Sequence, residues 1–119
     1  MTKNTKTILV LSIPEKKGDL YNSLILIKSG KIIERFFKKE LPNYGVFDER
    51  RYFSTKDHSK NLFYYKNQKI KFFICEDMWG TENYQTKTES ADLIISINAS
   101  PYEIGKDKLR KNLAKKKSK

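Results

Sequence analysis

The residue best placed to act as a nucleophile in this sequence is its single cysteine, Cys75. It closes the run from Ile70 to Ile74, whose β-branched and aromatic side chains suit a pleated, half-buried strand. Glu76, Asp77 and the later Gly80 then take the chain out of the sheet. A thiol there stands on a sharp turn at a strand tip, as in a nucleophile elbow. A lone cysteine is otherwise an inert small hydrophobe. To attack a carbonyl it needs a group that favours the thiolate and a donor for the oxyanion. Two charged residues could supply these needs: Lys38, which opens a loop at an earlier strand end, and Glu49, which closes it. A lysine ammonium close to both the thiolate and the developing oxyanion would favour each electrostatically. With 21 lysines in the chain, such proximity is not selective by composition alone.

The elements that must position these residues follow from periodicity and turn chemistry. Residues 1 to 6 are polar, as fraying termini are. Thr7 to Ile13 is a continuous apolar run and reads as a buried strand that Pro14 ends, with Glu15 to Gly18 as a loop. Asn22 to Lys28 and Lys31 to Phe37 flank Ser29-Gly30 and predict a hairpin, because glycine supplies the positive φ of a tight turn. Lys38 to Phe53 is interrupted by Pro42, Asn43 and Gly45, so it reads as a structured loop with a short helical turn within Phe47 to Phe53. Its aromatic residues Tyr44, Phe47, Tyr52 and Phe53 are expected to line a pocket or cover the core.

Ser54 to Lys60 is polar and reads as mobile. Leu62 to Lys66 and Lys69 to Cys75 form a second expected hairpin across Asn67-Gln68. Glu82 to Ser90 has weak helical spacing, and Ala91 to Asn98 reads as a further buried strand closed by Ala99-Ser100-Pro101. After Gly105, Leu109 and Leu113 at an i, i+4 spacing predict a C-terminal helix whose end, Lys115 to Lys119, is a solvated tail.

At 119 residues, with 15 aromatic side chains, the chain suits one folded domain or a piece of one. The domain is placed at 1–110 and the Lys-rich tail at 111–119. One cysteine cannot form an intramolecular disulfide, no leader-like segment stands at the N-terminus, and no run approaches the ~20 apolar residues of a membrane span. The cytoplasm is therefore the expected compartment. The formal charge of +11 invites a nucleic-acid reading, since basic surfaces gain affinity for phosphate by counterion release. Only 4 of the 25 basic residues are Arg, the side chain that reads base edges and grips phosphate bidentately, and the lysines are scattered. Nucleic acid is not the expected partner.

Three blocks together carry a family resemblance: F-F-K-K-E-L-P-N-Y-G-V-F-D-E-R-R-Y-F, then I-C-E-D-M-W, then A-D-L-I-I-S-I-N-A-S-P-Y-E-I-G-K. In this order and at these separations they resemble the nitrilase, or carbon-nitrogen hydrolase, superfamily, and within it the glutaminase domains of glutamine-dependent NAD synthetases. The resemblance runs from about Thr7 to at least Arg110. It implies an α/β fold, a strand-rich part of an α-β-β-α sandwich with a mixed sheet and the C-terminal helix. It also implies a Glu-Lys-Cys triad in which Cys75 matches the nucleophile and Lys38 the lysine, with Glu49 matching an additional glutamate near the site.

Residues that hold glutamine would be Tyr44, Glu76, Ser100 and Lys106. A zwitterion needs an acid for its ammonium and donors for its carboxylate, which suits Glu76 and the Ser100/Lys106 pair. No metal or cofactor is expected. The first triad glutamate of the family, its general base, lies upstream of the Thr7 strand and has no match here; Glu15 does not occupy its place. The sequence thus reads as the middle of a catalytic domain, with no counterpart of the ATP-using synthetase domain. Because general acid-base catalysis contributes typically ~10²–10⁴-fold, little stand-alone activity is expected unless a complementing chain or synthetase subunit supplies the missing part. The alternative readings are a basic nucleic-acid-binding module and a vestigial, non-catalytic remnant.

Overall fold

In the computed structural model the described residues are 6–56, 61–79 and 90–117. They form six strands and one α-helix: β1 (Leu9–Lys17), β2 (Asp19–Lys28), β3 (Lys31–Phe37), β4 (Leu62–Tyr65), β5 (Gln68–Ile74), β6 (Leu93–Ile97) and α1 (Lys106–Lys117). β1, β2 and β3 make an antiparallel sheet in that order, and β4, β5 and β6 make a second sheet in which β5 and β6 run parallel. The fold is α/β and strand-rich, with a mixed second sheet and a C-terminal helix, as the sequence implied.

The two sheets meet face to face through Leu24, Leu26 and Phe36 on one side and Phe72 and Ile74 on the other. The Phe36 and Phe72 rings stack at 5.3 Å between centroids. The deepest residues lie on the central strands β2 and β5, which neighbours cover along both edges. Polar exceptions sit at the same depth: Ser23 and Lys38 are both buried.

Two strand readings need correction. Pro14 does not end the first strand; β1 continues to Lys17 and pairs residue by residue with β2 down to Lys17 opposite Asp19. Proline is tolerated because β1 is an edge strand, where a missing N–H need not break a ladder. The turn is made at Gly18, with φ 77°. Nor are the first and last strands buried, since β1 and β6 alternate or end in exposed positions, with Leu11 and Leu93 about two-fifths exposed.

Both predicted hairpins are present. Ser29 and Gly30 (φ 51° and 77°) turn the first, and Lys66 and Asn67 (φ 49° and 63°) the second, one residue earlier than Asn67-Gln68. Two successive positive φ values give the turn whose twist matches the flanking strands. In β3, Ile33 is an extra residue between the Ile27–Ile32 and Leu26–Glu34 pairs, a bulge in the ladder.

The loop after β3 contains the expected helical turn, at Glu49–Arg51. Its aromatics do not all bury: Tyr44 is 58% and Tyr52 61% exposed, while Phe47 and Phe53 are half-buried. Ser54 and Lys56 are held, by the Ser54 N–H to the Leu20 carbonyl and by Lys56 over the Phe37 ring. The Glu82 to Glu89 part of the weak helical reading lies outside the described residues. α1 buries none of its residues fully and remains helical through Lys117, so Lys115 to Lys117 belong to its last turn. Among the described residues no helix is long and apolar enough to cross a membrane.

Candidate active site

Parallel pairing of β5 and β6 decides where the site forms. Ile74, the last residue of β5, lies opposite Ile97, the last of β6, so both chains leave the sheet side by side. Cys75 leads one exit and the Asn98 to Ser100 segment the other. The thiol and the Ser100 hydroxyl consequently stand 3.7 Å apart. Crevices beyond the carboxyl ends of parallel strands are where open α/β sheets bind ligands.

Cys75 itself has φ 49°, in the left-handed region. A residue with a Cβ held there costs on the order of 1–3 kcal/mol, a strain that persists when the surroundings over-determine it and that clusters at functional sites. A single 3-10 turn, Cys75–Met78, follows immediately, and the Trp79 N–H closes it on the Glu76 carbonyl at 2.8 Å. The half-buried thiol is thus presented at the head of a tight turn rather than packed into the core.

Lys38 follows β3 directly. Its N–H donates to the Asn22 carbonyl at 2.8 Å, extending the β2–β3 ladder by one residue and fixing where the side chain starts. The side chain is 1% exposed, and Nζ donates to both Glu49 carboxylate oxygens, at 2.6 and 2.7 Å. A buried ammonium needs such a partner, because an isolated charge in an apolar interior is prohibitive. The loop keeps Glu49 in reach: its N–H donates to the Pro42 carbonyl, and Arg50 Nε donates to the Leu41 carbonyl.

Tyr44 donates its hydroxyl to Glu76 Oε1 at 2.8 Å and meets Phe47 edge to face. Its phenol is pushed up to about 12, first by that hydrogen bond, then by desolvation, and then by the charges of Glu76 and Cys75. The loop aromatic is therefore tied to the residue next to the thiol. Lys106 takes part in none of these pairs; its ammonium forms an ion pair with Glu103 at the start of α1. Of the residues expected to share the site, the structure joins Lys38 with Glu49, Tyr44 with Glu76 and Cys75 with Ser100.

One residue escaped the sequence reading. Asp77, third in the turn, accepts backbone N–H groups from Lys39 (3.0 Å), Glu40 (2.7 Å) and Ile74 (3.3 Å). Burial holds its carboxyl above the ordinary range, against the pull of those three bonds and of the Lys38 charge. The available signal was an acid three residues beyond a strand end, able to reach back to the backbone N–H that opens the turn. Among the described residues no group of three His, Cys, Asp or Glu side chains is placed to hold a metal.

Two packed sheets whose parallel strand pair ends at a thiol turn define an α/β fold that solved structures share. A CN-hydrolase superfamily protein from Xanthomonas campestris superposes with a TM-score of 0.69 at 13% identity, over 92% of this chain and 43% of that one. The chain belongs to the carbon-nitrogen hydrolase family, whose sequence pattern matches residues 1–113. It is 38% identical over 120 residues to the glutamine-dependent NAD(+) synthetase of Aquifex aeolicus, covering 98% of this chain and 21% of the relative. With the Synechocystis protein of the same name it shares 41% over 113 residues, 83% of this chain and 20% of the relative. The ADP complex of the Acinetobacter baumannii glutamine-dependent NAD+ synthetase matches with a TM-score of 0.83 and 35% identity, over 92% of this chain and 21% of that one. The chain thus spans about a fifth of the length of these relatives.

Proposed function

We propose that this chain carries the nucleophile and the ammonium of a glutamine amidohydrolase site, of the kind that supplies ammonia for NAD synthesis. The observation that carries the reading is Cys75, held at φ 49° on the strand-end turn with Ser100 beside its sulfur and the buried Lys38–Glu49 pair on the neighbouring loop. In the reaction the thiolate attacks the side-chain amide carbon of glutamine. The tetrahedral oxyanion collapses, the C–N bond breaks, and the leaving nitrogen takes a proton and departs as ammonia. Water then cleaves the γ-glutamyl thioester to glutamate and regenerates the thiol.

Lys38 stabilises the thiolate and the oxyanion by charge, and Glu49 holds the ammonium in place. Glu76 pairs with the substrate ammonium, and Ser100 and Lys106 donate to its carboxylate. Tyr44 lines the approach through its bond to Glu76.

The test uses an L-glutamine analogue with a diazoketone in place of the side-chain amide, followed by mass spectrometry of the labelled chain. Labelling is expected at Cys75, faster than at a free thiol and slowed by excess glutamine. Labelling no faster than a free thiol, or indifferent to glutamine, would refute the assignment. Any ammonia release from glutamine is expected to disappear in Cys75→Ala; a rate unchanged by that substitution would overturn the assignment of the nucleophile.

A further inference from the structure

Two stretches of chain separated by more than thirty residues must be brought into register for Lys38 to act on Cys75. Nothing local does this, because Lys38 belongs to the end of the first sheet and Cys75 to the end of the second. The Tyr44–Glu76 bond links the same loop and turn, but it is exposed and so competes with water. The more sheltered link is the half-buried Asp77. Its Oδ1 accepts from both Lys39 and Glu40, the two residues directly after Lys38, while its Oδ2 accepts from Ile74, the residue directly before Cys75.

We infer that Asp77 is a positioning residue: a carboxylate clip that fastens the backbone on the far side of Lys38 to the backbone on the near side of Cys75. This rests on the reading of Lys38 and Cys75 given above. A capping role within the turn would explain only the Ile74 bond, and that is the longest of the three at 3.3 Å. The two shorter bonds, at 2.7 and 3.0 Å, leave the turn altogether and reach the other sheet's loop.

The carboxylate borders a pocket that Phe36, Phe72 and Phe73 line together with Asn61, Lys39 and Glu40, and three backbone N–H groups satisfy it there. The Lys39 and Glu40 amides gain equally, since buried N–H groups left without an acceptor are costly. Lys38 is bound from two directions as a result, by Glu49 at its ammonium and by Asp77 at the backbone that follows it.

The test reads the thiol itself. Cys75 is the single cysteine, so the rate of alkylation by iodoacetamide reports it alone in the full chain. Rates are measured against pH for the unaltered chain, Lys38→Met, Asp77→Asn and the double variant, with thermal melting of each as a separate readout. Tyr44, Glu76 and Glu49 also face this region and are left unchanged throughout. Lys38→Met is expected to displace the profile to higher pH and to slow alkylation near neutrality severalfold, because the thiolate loses a neighbouring positive charge. Asp77→Asn is expected to displace it in the same direction, and the double variant no further than Lys38→Met. Non-additivity of this kind means that Asp77 acts through the lysine.

If Lys38→Met displaces the profile and Asp77→Asn lowers only the melting temperature, Asp77 is a structural cap and the inference is overturned while the reading of Lys38 stands. If Lys38→Met leaves the profile in place, the reading fails and takes the inference with it. Should Asp77→Asn not fold, hydrogen exchange on the unaltered chain decides. The Lys39 and Glu40 amides are expected to be protected at least about a hundredfold over unstructured rates, and exchange at open-loop rates would overturn the clip.

Discussion

Replacing Lys38 with methionine removes the charge while keeping most of the volume, and the cost can be worked from the geometry. At the 2.6 Å separation from Glu49 the attraction is about 6 kcal/mol for an effective dielectric constant of ~20. Desolvation of the two ions offsets most of it, so the pair's net contribution is far smaller. The variant, however, leaves the Glu49 carboxylate without its partner, and breaking a buried pair from one side costs about 3–5 kcal/mol. Glu49 keeps 19% of its side chain exposed, which places the expected loss near the lower end, about 3 kcal/mol.

For a chain of 119 residues that loss corresponds to a fall in Tm of roughly 10–15 °C. The measurement is urea unfolding of Lys38→Met, Glu49→Gln and the double variant as a thermodynamic cycle. The double variant is expected to lose no more than Lys38→Met, with a coupling of about 2 kcal/mol. A Lys38→Met loss below about 1 kcal/mol, or strictly additive effects, would refute the reasoning that a buried, mutually dependent pair stands at this position.

Two further outcomes follow from single side chains. The Tyr44 phenol, pushed up to about 12 by its bond to Glu76, should give a late phase in an ultraviolet phenolate titration, and Glu76→Gln should return it toward 10.0. Because the folded value is the raised one, the bond's stabilising contribution is present in full below pH 10 and is lost as the pH climbs to about 12; superimposable titrations of the two proteins would contradict this. Ser23 is fully buried and its hydroxyl has no hydrogen-bond partner among the described residues, so Ser23→Ala should unfold at the same or a higher temperature. A loss of more than about 1 kcal/mol would show that the hydroxyl is satisfied.

Much of the architecture was legible because it rests on short-range signals. The Ser29-Gly30 hairpin, the second hairpin at Lys66 and Asn67, the strand running into Cys75 and the helix after Gly105 are all set by apolar periodicity and turn residues within a few positions. Errors fell where neighbours override local preference. Pro14 looks like a strand end until β1 is known to be an edge, and of the loop aromatics expected to line a pocket or cover the core, Tyr44 and Tyr52 are left largely exposed.

The site divides in the same way. Family blocks in the sequence marked Cys75, Lys38, Glu49, Tyr44, Glu76, Ser100 and Lys106 as candidates, by residue type and separation along the chain. What they touch depends on long-range pairing. Lys38 meets Glu49 only because the loop between them folds back, and Cys75 meets Ser100 only because β5 and β6 pair in parallel and in register. Asp77 had no mark of its own, since a carboxylate after a strand is ordinary until three N–H groups from two distant segments converge on it. The sequence by itself determined which groups are present and on which local elements they ride. Strand pairing, the folding back of the loop after β3 and the packing of the two sheets decided which of them stand together, because that choice is made by burial and hydrogen-bond satisfaction summed over the whole chain rather than by any residue's immediate neighbours.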